Sequence, residues 1–156
     1  MATKSQLEDL PWRAQYDLLN MVVGDRIGSG CSRTVFVNDL NPLQVVKFEQ
    51  GGQFANVQEW LIWQEVKECE ELARWFAPCD FISPDGKVLI QRRTYQPQIA
   101  YPAWVPKFFT DLKLTNWGEL DGVIVCHDYA MLARFYTMES QRYKKADWWR
   151  LSSRRS

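Results

Sequence analysis

The sequence predicts an α+β domain: a five-stranded antiparallel sheet with one major helix, followed by a truncated second lobe. Two observations predict it. Up to about residue 93 the patterns run strand, strand, strand, helix, strand, strand. Beyond a proline-containing connector, only short segments remain before residue 156.

The elements follow in order. Ser5 is placed to cap a first helix with Leu7, Leu10, Ala14, Leu18 and Leu19 at roughly helical spacing and Pro11 at its start or a kink. Residues 22–27 are strand-like and run into Gly28-Ser29-Gly30, and β-branched residues resume at 33–37, which reads as a hairpin with a glycine turn. Asn38-Asp39-Leu40-Asn41-Pro42 is a turn cluster, and a third strand is expected at 44–49. Gly51-Gly52 precede a long helix predicted over 56–76, which Pro78 ends. Pro84-Asp85-Gly86 between 81–83 and 87–91 is a strong hairpin signal. Residues 95–102 form a connector, 103–110 a short helix, and 122–126 a buried-type strand after the turn Leu120-Asp121-Gly122. The tail from Met131 reads as helical and basic, with seven Arg and Lys against two acidic residues.

Length and composition narrow the function. At 156 residues the chain supports a single domain. The 19 basic and 19 acidic residues balance, so no global field directs it to nucleic acid or anionic lipid. No apolar run approaches the roughly 18 residues of a membrane span, and the polar start is no signal peptide. The four cysteines are scattered without a Cys-x-x-Cys pair, which argues against zinc and for reduced thiols in the cytoplasm. The one histidine, His127, reads as a strand-end residue, Cys31 as a small apolar filler, and the eight tryptophans mainly as core filler.

Four short motifs carry chemistry through their order. Gly28 and Gly30 would let a turn approach a phosphate without a Cβ in the way, with Ser29 between them. Lys47, inside Val45-Val46-Lys47-Phe48, would aim an ammonium beneath that turn. It needs an acidic partner on the following helix. Glu59, early in the helix, is favoured, with Glu65 the alternative. Asp111-Leu112-Lys113-Leu114-Thr115-Asn116 supplies a metal-free carboxylate able to accept a hydroxyl proton (Asp111), a cation for the transferred group (Lys113) and a neutral oxygen for a metal (Asn116). Asp128, at a strand end, would bind magnesium.

In this order the motifs resemble a protein-kinase-like phosphotransferase in reduced form. Ile27-Gly28-Ser29-Gly30-Cys31-Ser32-Arg33-Thr34-Val35-Phe36 is similar to the glycine-rich loop, and Lys47 to its nucleotide lysine. Residues 111–116 resemble the catalytic loop, and Asp128-Tyr129-Ala130 the magnesium-binding Asp-Phe-Gly segment. The chain is also similar to small kinase-like proteins of phage and bacterial genomes, through Asn56-Val57-Gln58-Glu59-Trp60 and Asn116-Trp117-Gly118. The resemblance covers about 22–130 and implies an N-lobe-like part at 22–93 and a minimal C-lobe-like remnant at 94–156. It implies ATP and Mg2+ as cofactors, Asp111 as catalytic base, Asn116 and Asp128 as metal ligands, and Glu59 as the partner of Lys47. The location would be cytoplasmic, that of the host if the chain is phage-encoded.

There are departures from the pattern. Arg33 replaces the third loop glycine, Phe109-Thr110 replace the His-Arg before the catalytic Asp, and Ala130 stands where a glycine belongs. Only 26 residues follow Ala130, too few for an activation loop and substrate platform. This motivates a second expectation, a catalytically inactive pseudokinase-like interaction module that binds a protein partner through tail aromatics such as Trp148 and Trp149. Nucleic acid, suggested only by the basic, aromatic tail, ranks behind both.

Overall fold

The computed structural model describes residues 23–132 and 142–148. The helix expected near Ser5, most of the tail and Trp149 lie outside the described residues. The chain divides into two compact units. One takes the described residues up to Trp60 with Cys79–Arg93, and the other Leu61–Pro78 with the described residues from Thr94 onward.

The first unit is built on a five-stranded antiparallel sheet of order β1-β2-β3-β5-β4, as the alternation of patterns predicts. Its strands are β1 (Val23–Ser29), β2 (Arg33–Asn38), β3 (Gln44–Glu49), β4 (Cys79–Ile82) and β5 (Val88–Arg92). β1 extends through Gly28 and Ser29, so the glycine motif is a strand end, and the turn closes where the Gly30 N–H donates to the Arg33 carbonyl at 2.8 Å. Register sorts the side chains by face. Phe36, Val46 and Ile90 are paired across one face with Thr34, Phe48 and Val88. There Val46, Phe48 and Val88 form a buried cluster with Val23, Phe36 and Ile90 around it. The opposite face carries Arg33 opposite Glu49, Lys47 opposite Leu89, and Gln91.

Helix α1 (Ala55–Val66) follows β3. No Ser, Thr, Asp or Asn stands just before it, and its Asn56 N–H is instead accepted by Glu49 Oε1 of β3 at 2.9 Å. The β4–β5 turn places Gly86 at φ 73°, and a Cβ there would come within 2.6 Å of Val57 Cγ2. Glycine is required at this point by both conformation and packing.

The second unit departs most from expectation. The helix predicted over 56–76 breaks after Val66, and a single turn, α2 (Glu70–Ala73), follows. No glycine or proline marks the break. The helix's failure to reach residue 76 has a tertiary cause: Phe76 bridges Cys126, with the Cys126 N–H donating to the Trp75 carbonyl and the Ala77 N–H to the Cys126 carbonyl, each at 2.8 Å.

Residues 103–110 hold no helix. They contain β6 (Trp104–Pro106), and the tail residues Tyr143–Lys145, expected to be helical, form β9 paired with it. Strand β7 (Trp117–Leu120), absent from the sequence reading, pairs with β8 (Val123–Cys126). Their connection is the two-residue turn Asp121-Gly122, with φ 51° and 80°, the conformation for which Asp-Gly is suited. An aromatic core takes only two of the described tryptophans: Trp75, Phe76, Phe109, Trp117 and Tyr129 are all buried, whereas Trp60, Trp63 and Trp148 are half-buried and Trp104 is exposed. Phe109 lies 4.7 Å from Trp117 and 5.2 Å from Phe76 between ring centres.

Candidate functional site

In the first unit the helix-facing side of the sheet holds a buried polar network. Glu59 of α1, fully buried, receives Lys47 Nζ on Oε1 at 2.5 Å and Arg33 Nη2 on Oε2 at 2.9 Å. Gln91 Nε2 donates to the same Oε1 at 3.3 Å. Asn56, one turn earlier on α1, spans the gap to the sheet. Its Nδ2 donates to the Lys47 carbonyl at 3.0 Å, and its Oδ1 accepts from Arg33 Nη1 at 3.3 Å. Positions 56 and 59 are three apart and so share a helix face. Glu65 is exposed, so Glu59 is the helix carboxylate that meets Lys47.

Burial alone would raise the Glu59 pKa. The charges of Lys47 and Arg33 and their hydrogen bonds overcome it and bring the carboxyl from 4.5 down to about 2. A carboxylate and two cations kept out of water gain little as pure scaffolding, because apolar residues would fill the same volume at lower desolvation cost.

At Gly28, paired with Val35 of β2, and at Gly30 neither backbone conformation nor packing requires glycine. Neither has a positive φ. A Cβ on Gly28 would sit 4.0 Å from Val35 Cβ, and one on Gly30 would meet nothing within 4 Å. Ser29 is exposed, its hydroxyl accepting from Arg26 Nη2 at 2.8 Å.

The second unit brings the remaining candidates together. Leu112 is buried and holds down a loop whose flanking Asp111 and Lys113 are exposed. Asp111 Oδ2 accepts from Asn116 Nδ2 at 3.3 Å and lies 4.0 Å from Lys113 Nζ, while Oδ1 accepts the Lys113 N–H at 3.2 Å. The Asn116 carbonyl accepts the N–H of His127 at 2.8 Å and that of Asp128 at 3.4 Å. Asp128 is exposed between the buried Cys126 and Tyr129. Tyr129 is anchored by its hydroxyl, which donates to the Ala77 carbonyl at 2.8 Å.

Among the described residues no three His, Cys, Asp or Glu side chains cluster to hold a metal. Asp128 and Asn116 offer oxygen donors on adjoining backbone, and the Asn116 amide nitrogen is already spent on Asp111. That is a donor set of the kind a hard cation such as Mg2+ takes, with phosphate oxygens and water filling its other positions.

Sequence reasoning missed several supporting residues. Arg33 and Asn56 stand inside the motifs with no contact assigned to either, although the period of two and the spacing of three point at Lys47 and Glu59. His127, read as a strand end, ties the second site: its ring shares a hydrogen bond with Thr94 Oγ1 at 2.7 Å and another with the Thr115 carbonyl at 2.8 Å. Trp148, offered for partner binding, is half-buried. Its Nε1 donates to the Pro102 carbonyl at 3.1 Å, and its ring packs on Tyr101 and Trp117.

No family model, curated protein or solved structure matches the chain. Among the described residues no helix is long and apolar enough to cross a membrane.

Proposed function

We propose that this chain is an ATP- and Mg2+-dependent phosphotransferase of the protein-kinase-like type. The observation that carries the proposal is the buried Lys47–Glu59 pair joining β3 to α1 beside a glycine strand end that neither packing nor conformation explains. In this reading the N–H groups around Gly28, Ser29 and Gly30 approach the phosphates, and Lys47, oriented by Glu59, neutralises them.

The second unit supplies the rest of the chemistry. Asp111 accepts the proton of the acceptor hydroxyl as that oxygen bonds to the γ-phosphorus and the bond from phosphorus to the β–γ bridging oxygen breaks, releasing ADP. Lys113 offsets charge on the transferred group. Asn116 Oδ1 and the Asp128 carboxylate would hold Mg2+, which supplies charge neutralisation on the phosphates. The acceptor in this reading is a hydroxyl group, of a protein or of a smaller compound.

In the interaction-module alternative, Trp148, half-buried with its ring on Tyr101 and Trp117, would present only part of its surface to a partner.

Calorimetric titration of ATP with and without Mg2+, on wild type and Asp128→Ala, tests the proposal. Magnesium-dependent binding that the substitution abolishes is expected. A well-folded wild type that does not bind ATP would overturn it.

A further inference from the structure

Arg33 stands where a third glycine would complete the turn motif, and it is 9% exposed. Both ends of its guanidinium are occupied by α1: Nη1 meets Asn56 Oδ1 at 3.3 Å and Nη2 meets Glu59 Oε2 at 2.9 Å. Glu59 therefore divides its two oxygens between two cations, with Arg33 on Oε2 and Lys47 on Oε1.

We infer that Arg33 is a positioning residue that releases Lys47 for phosphate, an inference that rests on the phosphotransferase reading above. Were Lys47 the sole counter-ion of Glu59, turning its ammonium toward an incoming anion would strand a fully buried carboxylate, and stranding a buried charge is costly. With Arg33 on the other oxygen, Glu59 stays compensated while Lys47 swings its donors to the phosphate. Arginine suits this task and lysine would not. Its planar fork reaches Asn56 and Glu59 together, and it keeps its charge at any working pH. Asn56 completes the device by tying the Lys47 backbone to the same helix turn that holds Arg33. The lost glycine thus becomes a second cation dedicated to the acidic partner.

This predicts a sign that ordinary structural damage does not produce. In Arg33→Met, Glu59 keeps Lys47 to itself, so affinity for Mg·ATP is expected to fall about tenfold or more. Adding Glu59→Gln then removes the charge that traps Lys47, so the double variant is expected to bind more tightly than Arg33→Met alone. Calorimetry on the full chain with Mg·ATP reads both, with circular dichroism confirming the fold. Should Arg33→Met fail to fold, Arg33→Gln keeps a donor for Glu59 without the charge, and the same comparison applies. Wild-type affinity in the Arg33 variant, or further loss in the double variant, would overturn the inference while Lys47→Met still reported on the phosphotransferase reading. Absence of binding to the wild type would overturn both.

Discussion

Lys47 Nζ lies 2.5 Å from Glu59 Oε1 with both side chains withdrawn from solvent, so strand β3 and helix α1 are joined by a charge pair in the interior of their unit. Arg33 on the second carboxylate oxygen makes the arrangement a triad. The cost of removing one member is asymmetric. Glu59→Ala leaves two buried cations without their shared anion, and the expected loss is about 3–5 kcal/mol in urea unfolding. A loss below about 1 kcal/mol would mean that water reaches the triad and screens it.

Acid provides an independent check. The folded-state pKa of Glu59 is depressed to about 2 from 4.5. Its stabilisation is therefore complete above the unfolded value and is lost as pH falls through 4.5 toward 2. Over that window the wild type should lose on the order of 3 kcal/mol that Glu59→Gln does not lose. Parallel stability–pH curves for the two proteins would remove Glu59 as a source of acid sensitivity.

The sheet was legible because period-two alternation and turn chemistry are local. Pro84-Asp85-Gly86 and the segments around it lie where the sequence puts them. The end of the helical region before Phe76 was not legible: Trp75 and Ala77 are hydrogen-bonded to Cys126, some fifty residues away, and no local signal carries that contact. Strand β7 was hidden because Trp117-Gly118-Glu119-Leu120 has no β-branched residue. At the candidate site the order of Lys47, Asp111, Asn116 and Asp128 could be read, as could one helix glutamate as the partner. Arg33 was read as a departure and not as a contact, because a missing glycine says nothing about where the new side chain points.

Asp111→Asn separates base chemistry from binding. The amide keeps the side-chain size and an oxygen for the Asn116 Nδ2 bond, now 3.3 Å long, but it cannot take a proton at neutral pH. Phosphate transfer is expected to fall by about two to four orders of magnitude, with ATP affinity changed less than about threefold. Single-turnover assay and calorimetry measure the two. Undiminished transfer would remove Asp111 from the role of base.

His127 pins residues 111–116 from behind through Thr115, since a carbonyl can only accept and Nε2 must therefore donate to it. Nδ1 then accepts the Thr94 hydroxyl in the neutral ring. His127→Phe keeps an aromatic ring and loses both bonds, and a destabilisation of about 1–2 kcal/mol is expected. Thr94→Val should cost about 1 kcal/mol alone and nearly nothing in the His127→Phe background. Full additivity in the double variant would show that the two residues act separately.

Gly118 decides whether that bond can form. On β7 it faces residues 94–95, where a Cβ would approach Thr94 Oγ1 at 2.5 Å, Thr94 Cβ at 2.6 Å and the Tyr95 carbonyl at 3.1 Å. The close approach is enforced by the paired backbone next to it, because Tyr95 and Glu119 exchange hydrogen bonds of 3.0 and 2.9 Å. Thr94 therefore cannot retreat without breaking that bridge or releasing His127. Gly118→Ala should lower stability by about 2–3 kcal/mol, within the range for overpacking. Thr94→Gly should recover part of that loss by removing the atoms in conflict, despite the mobility it adds to the unfolded chain. Thermal unfolding of the two single variants and the double variant gives the coupling. A double variant no more stable than Gly118→Ala would place the strain elsewhere, and the close contact between Gly118 and Thr94 would no longer explain why glycine stands there.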